Sequence, residues 1–297
     1  VENSIDAGAN RVRVEIERGG FDRITVIDDG HGIPKDELPL AITRHATSKL
    51  SGPDDLNHIE TKGFRGEALA SIGAVSELVV ASRIGDGDGV QIRLDNGIVG
   101  DVEVAGIAPG TRIDVLSLFA KVPARLSFQR RPSTETAAIV DVGVQMALAE
   151  PNAGMLIEID GRTVLDCPPT ESAEDRLYDL FGSTSSELTP LTSSQADSDA
   201  PGGEKWTGWI SPPGLTRSRA DDVHILVNGR PVAPGPFLQS VRRGYHTRLM
   251  VGRHPIGVLL LSLPADEVDV NVHPTKREVR LKNSWRVLER LERSIKH

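Results

Sequence analysis

The sequence predicts an α+β protein in two units, and three features carry that prediction. Strictly alternating segments recur through residues 11–115. Helical periodicity appears in separate later stretches, and a polar break at residues 183–203 divides a longer first part from a shorter second. A chain of 297 residues is long enough for two cores. The expected units are residues 1–182 and 204–297, with 183–203 as a linker or boundary segment. A hydrophobic content of 38% and a charged content of 26% exclude low-complexity and fibrous classes. The formal charge of −8 argues against a protein that coats nucleic acid over its whole surface and leaves room for a local basic face. Cys167 is the only cysteine, which excludes a disulfide framework and fits a reducing compartment. No apolar run approaches the roughly 18 residues of a membrane span, so no membrane partner is expected.

Taken in order, Val1–Ala9 reads as the last turns of a helix. Val1 and Ile5 share one face, Glu2 and Asp6 another, and Gly8 is a natural stop. Asn3 is a poor helix former there, either solvated or kept to present its side-chain oxygen to a ligand. A helix starting at the first residue has no N-cap, so the chain is expected to be cut from a longer one. Arg11–Glu17 alternates as a half-buried strand, and Arg23–Ile27 returns into Asp28-Asp29-Gly30-His31-Gly32. Two carboxylates and two glycines at the end of a buried strand exceed what a plain hairpin needs. Pro34 is expected to start a helix through about Arg44.

Residues 45–52 read as a loop. The stretch Gly63-Phe64-Arg65-Gly66 then feeds a helix beginning near Ala68 and Leu69, an arrangement that receives phosphate on backbone N–H groups and also serves plain turns. Strands at 77–82, 90–94, 97–104 and 111–115 suggest an antiparallel meander. Residues 116–132 are irregular and basic. Ser133 is placed to cap a helix through Glu150, followed by a hairpin at 155–165 and a helix at 172–181. The second part offers strands at 205–211 and 223–227, an Asn228-Gly229 turn, a helix at 236–248, a buried strand at 256–263 and a closing helix at 285–296.

In this order the motifs resemble the GHKL (Bergerat) ATP-binding fold: Asn3 with Asp6-Ala7-Gly8, Asp28 with Gly30 and Gly32, Gly63 to Leu69, then Gly110-Thr111. Residues 44–49 (Arg-His-Ala-Thr-Ser-Lys), 63–72, 227–230 and 269–276 (Asp-Val-Asn-Val-His-Pro-Thr-Lys) are more specific, and resemble the MutL family of DNA mismatch-repair proteins. The resemblance runs the length of the chain. It implies a GHKL α/β sandwich with a mostly antiparallel sheet, followed by a smaller α+β domain of ribosomal-protein-like type.

The same resemblance implies ATP and Mg²⁺ as ligands. Asn3 would supply a side-chain oxygen to the metal, with Ala7 beside the nucleotide, and Asp28 would accept from the adenine amine. Thr111 would join that network, and Gly32 would bring backbone against the base. Gly63, Phe64, Arg65, Gly66, Ala68 and Leu69 would form the lid over the triphosphate, with Lys49 near it. Lys276 would reach the γ-phosphate, making the molecule respond to ATP and ADP differently. The implied partners are a mismatch-recognition protein of the MutS type, DNA bound weakly and without sequence preference, and a second subunit as an ATP-dependent homodimer or family heterodimer. The expected location is cytoplasmic and nucleoid-associated in a bacterium, nuclear in a eukaryote.

Candidates for DNA are Lys121, Arg125, Arg217, Arg219, Arg242, Arg243, Arg248 and Arg253. The family's basic position soon after the Asn-Gly-Arg turn is Ala-Pro-Gly here, which weakens a direct carry-over. The family's general base is a Glu one turn before the metal-binding Asn, upstream of Val1. Glu2 sits roughly 100° round the helix from Asn3 and is not assigned that role. Two other readings stay open: a nucleotide-binding module that does not hydrolyse ATP, and another GHKL member of topoisomerase or chaperone type.

Overall fold

Alternation builds the first sheet. In β1 (Arg11–Glu17) Val12, Val14 and Ile16 are buried while Arg11 and Arg13 face out. The computed structural model describes residues 1–43, 68–192, 203–269 and 279–296. Contacts divide the chain into units of residues 1–180 and 181–297.

The first unit starts with α1 (Glu2–Asp6) and β1, then β2 (Arg23–Asp28), α2 (Leu38–Ala41) and α3 (Ala68–Gly73). After these come β3 (Glu77–Arg83), β4 (Val90–Asp95), β5 (Ile98–Val99), β6 (Glu103–Val104) and β7 (Gly110–Leu116). It closes with α4 (Pro123–Leu126), α5 (Pro132–Ala149), β8 (Gly154–Ile159), β9 (Arg162–Cys167) and α6 (Ala173–Phe181). The strands form one sheet in the order β5-β4-β3-β7-β2-β1-β8-β9, with β6 beside β4. Every pairing is antiparallel except β1 with β8.

Three local expectations are corrected. The strands from 77 to 115 are not a simple meander: β7 passes over β4 and inserts between β3 and β2. β5 and β6 are two residues each, too short to template another full strand, whereas β3 and β2 offer long free edges. The helix expected at 34–44 shrinks to Leu38–Ala41. Pro39 has no N–H to give an interior turn, and it is tolerated only in the first turn of a later-starting helix. Ser133 does not cap α5, because Pro132 occupies the first helical position and Arg131 the cap.

One face of the sheet carries two apolar clusters. Val12, Val14, Ile16, Met155 and Ile157 pack with Met146 and Ala147 of α5, and Val1 and Ile5 of α1 lie against the same cluster. Leu78, Val80, Ile92, Leu94 and Val115 pack with Leu38 and Ile42, and Leu69 and Ile72 of α3 join them. Gly143 brings α5 so close to β8 that a Cβ there would overlap the end of Ile157.

The second unit contains β10 (Thr189–Thr192), β11 (Lys205–Ile210), β12 (Thr216–Arg217), β13 (Val223–Val227) and β14 (Arg230–Val232). After α7 (Gly235–Tyr245) come β15 (His254–Pro255), β16 (Gly257–Ser262), β17 (Val268–Asp269), β18 (Arg280–Leu281) and α8 (Ser284–Lys296). Its main sheet runs β10-β11-β16-β13-β14. Trp206 is fully buried, donates from Nε1 to the Val287 carbonyl at 3.2 Å and meets Phe237 edge-on. Within the segment expected as a linker or boundary, β10 pairs with β11, and Leu191 enters the second core.

Candidate nucleotide site

Strand register creates the site. Asp28 of β2 lies opposite Thr111 of β7, and Thr111 lies opposite Ser82 of β3. Three polar residues therefore stand in a row at the same end of three adjacent strands. They continue the face that buries Val115 and Val80 and half-buries Val26, because alternate residues share a face. All three are buried. A buried polar row at strand ends must be hydrogen-bonded, and this one is.

Asp28 Oδ1 accepts from the backbone N–H of Gly30 at 3.1 Å and of Thr111 at 3.2 Å. Its second oxygen has no partner among the described residues and is not one of their fully enclosed unpartnered atoms. The carboxylate is thus anchored through one oxygen, with the other left without a partner among the described residues. Ser82 Oγ donates to the Gly110 carbonyl at 3.0 Å, lies 3.2 Å from Thr111 Oγ1, and accepts from the Ile33 N–H at 2.7 Å. Two glycines allow the close approach. A Cβ on Gly110, at φ +119°, would overlap the Asp28 carbonyl, and one on Gly32 would sit 2.5 Å from the Arg83 carbonyl oxygen.

Helix α1 is fixed to the same loop. It ends in a Schellman pattern, with Gly8 N–H on Ile5 O at 2.9 Å and Ala9 N–H on Ser4 O at 3.1 Å. The Ala7 carbonyl then accepts from His31 N–H at 3.0 Å. Ala7 is therefore a fixed point joining α1 to the Asp28–Gly32 loop. Asn3 is exposed, and its side chain has no partner among the described residues.

The opposite face of the sheet is charged and largely paired within itself. Thr25 Oγ1 donates to Asp114 Oδ1 at 2.6 Å, and Arg112 Nε donates to Asp114 Oδ2 at 2.7 Å. Burial pushes the Asp114 carboxyl up, but its bonds from Arg112 and Thr25 outweigh burial and hold it below the usual range.

Of the expected site residues, the structure brings together Ala7, Asp28, Gly32 and Thr111, with Asn3 on the attached helix. Ala68, exposed, and Leu69, half-buried, open α3. Gly63, Phe64, Arg65, Gly66, Lys276 and Lys49 lie outside the described residues. Sequence reading passed over Ser82, although a serine at an inward position after Leu78 and Val80 is a legible sign of a buried hydroxyl needing partners.

Most of the basic candidates are engaged locally. Arg217 pairs with Asp222, Arg219 with Asp221, Arg243 with Glu292 and Lys121 with Asp95. Arg253 bonds Thr216, and Arg125 lies over the Phe119 ring. Arg242 and Arg248 are exposed with no ion pair among the described residues.

Two family models match the chain: "Histidine kinase-, DNA gyrase B-, and HSP90-like ATPase" over residues 1–104, and "DNA mismatch repair protein, C-terminal domain" over residues 178–297. The DNA mismatch repair protein MutL of Acidiphilium cryptum is 44% identical over 281 residues, covering 94% of this chain and 47% of that protein. MutL of Rhizorhabdus wittichii is 44% identical over 284 residues, covering 95% and 47%. The chain thus spans about half the length of the curated relatives it matches. Among solved structures, the N-terminal domain of a DNA repair protein superposes with a TM-score of 0.83 at 24% identity, covering 99% of this chain and 90% of that one. The Aquifex aeolicus MutL ATPase domain complexed with ADP superposes with a TM-score of 0.64 at 23% identity, covering 89% and 88%. These two likenesses show the fold, and the sequence matches show the family: the chain belongs to the MutL family of DNA mismatch-repair proteins and carries its GHKL ATPase fold.

Proposed function

We propose that the chain binds ATP with Mg²⁺ and serves as the nucleotide switch of a mismatch-repair protein. The observation that carries this is Asp28, held by two backbone N–H groups through Oδ1 and open at Oδ2 beside Thr111. A carboxylate has no proton to donate at neutral pH, so it selects a donor, and the adenine amino group is one. Gly32 is proposed to bring backbone against the base. Asn3 fits a hard cation that keeps water and phosphate oxygens as its other ligands. When bound, Mg²⁺ would screen phosphate charge.

Glu2 is adjacent to Asn3, about 100° round the helix, and is given no base role. Gly63, Phe64, Arg65, Gly66, Ala68 and Leu69 are proposed to cover the triphosphate, and Lys276 to contact the γ-phosphate. Slow hydrolysis, ATP-dependent dimerisation and a MutS-type partner are proposed for the whole protein. The family membership and the ADP bound by the Aquifex relative support this reading. For weak, sequence-independent contact with DNA, Arg242 and Arg248 are the basic side chains best placed, since an arginine already paired in its own unit has less charge to give phosphate.

Asp28→Asn separates binding from folding. An amide keeps an oxygen for the Gly30 and Thr111 N–H groups and turns an –NH₂ toward the base, where it meets the adenine amine donor to donor. Titration with Mg-ATP is expected to show at least about tenfold weaker binding than wild type, with the thermal midpoint nearly kept. Unchanged ATP affinity in Asp28→Asn would falsify the assignment. Turnover measured on the same samples tests hydrolysis independently.

A further inference from the structure

We infer that Ser82 is a positioning residue that sets the hydrogen-bond polarity of Thr111 and so makes the site prefer adenine to guanine. The inference rests on the ATP-site reading above and deepens it.

The argument is an inventory of protons. Ser82 is fully enclosed and has one hydroxyl proton for two neighbouring acceptors, the Gly110 carbonyl at 3.0 Å and Thr111 Oγ1 at 3.2 Å. The carbonyl is nearer and can only accept, so the proton goes there. Ser82 Oγ then has lone pairs for two donors. The Ile33 N–H takes one at 2.7 Å. The Thr111 hydroxyl takes the other, becoming a donor toward Ser82.

Thr111 has then spent its only proton inside the protein, and toward a ligand it offers lone pairs alone. Asp28 Oδ2, one strand away in register, also offers lone pairs alone. The base edge therefore meets two acceptors in a row. Adenine presents an amino donor there. Guanine presents a carbonyl acceptor at the same position and so faces acceptor against acceptor.

Ser82 also fastens the loop bearing Gly32. A Cβ on Gly32 would lie 3.2 Å from Ser82 Oγ, and the next residue, Ile33, donates to that oxygen. One hydroxyl thus couples the base-facing loop to the strand bearing Thr111. Without it, the Thr111 hydroxyl is free to rotate and donate outward.

The test compares ATP and GTP affinities by competition against a fluorescent adenine nucleotide, for wild type, Ser82→Ala, Thr111→Val and the double variant. Ser82→Ala is expected to lower the ATP-over-GTP preference by about tenfold or more, mainly through tighter GTP. In the Thr111→Val background the Ser82 substitution should leave that ratio unchanged, because Ser82 acts through the Thr111 hydroxyl. Equal weakening of both nucleotides, or an unchanged ratio in Ser82→Ala, overturns the inference and leaves Ser82 as packing. A Ser82 effect that persists in the Thr111→Val background overturns it too. Should Ser82→Ala fail to fold, Ser82→Cys, close in size and a weak hydrogen-bonding group, is read by the same ratio. If wild type binds neither nucleotide, the underlying ATP-site reading has failed, an outcome distinct from these.

Discussion

Asp28 suits its proposed role because its two oxygens have different surroundings. Oδ1 is committed to the backbone at Gly30 and Thr111, which fixes the carboxylate in place, and Oδ2 has no partner among the described residues. The expectation for Asp28 came from its position at the end of a buried strand, where a carboxylate must find donors. Ser82 carried a legible cue, an inward serine after Leu78 and Val80, but which groups it bonds was decided only when β7 came to lie beside β3. At this scale the assignment of Lys276 is also testable. A lysine touching the γ-phosphate contributes a charge-assisted contact that ADP cannot receive. Lys276→Ala is therefore expected to weaken ATP by about tenfold or more and ADP much less, as measured by paired titrations. Equal loss for both nucleotides would count against the γ-phosphate role.

Elements are held by contacts that pattern alone does not reveal. α6 carries Arg176, whose side chain is almost fully enclosed. Its guanidinium donates to the Pro151 carbonyl at 2.7 Å and the Ala153 carbonyl at 3.3 Å, and pairs with Asp179 at 3.3 Å. These bonds tie the helix to the turn that launches β8. Truncation leaves two carbonyls and a carboxylate without their donor. Arg176→Ala is expected to cost the first unit about 3 kcal/mol, read from a urea midpoint shift at unchanged slope. A loss under about 0.5 kcal/mol would mean solvent replaces those bonds freely.

The strand segments and the long helix α5 were legible from period and turn residues. The place of β7 was not, since pairing partners depend on which edges lie free after the earlier strands form. α2 was misjudged for a reason visible in the sequence, the interior Pro39, whose missing N–H outweighs the helical pattern.

For the second unit taken whole, stability should depend on alkaline pH through one buried phenol. Tyr245 is enclosed among α7, β11 and β16 side chains and donates its hydroxyl proton to the Ser211 carbonyl. Burial pushes its pKa up to about 12. A raised folded-state pKa means the folded state holds its proton longer than the unfolded state. Stability is full below the ordinary value of about 10 and falls as the pH rises from there to about 12. Tyr245→Phe is expected to flatten that decline in thermal-melt profiles while losing stability near neutrality, because the Ser211 carbonyl loses its donor. A decline of the same steepness in the variant would assign it to other groups.

The sequence by itself determined the two-unit α+β class, the succession of strands and helices, and the ordered motifs that mark a MutL-type ATPase. Those properties are local or additive along the chain: periodicity, turn chemistry and residue identity survive without knowledge of partners. Tertiary structure alone decided that β7 lies between β2 and β3. It thereby set Asp28, Thr111 and Ser82 in one row and left one carboxylate oxygen free. Strand pairing is a choice among distant edges, made by collective burial and register, so the hydrogen-bond polarity of that row becomes readable only once those edges have met.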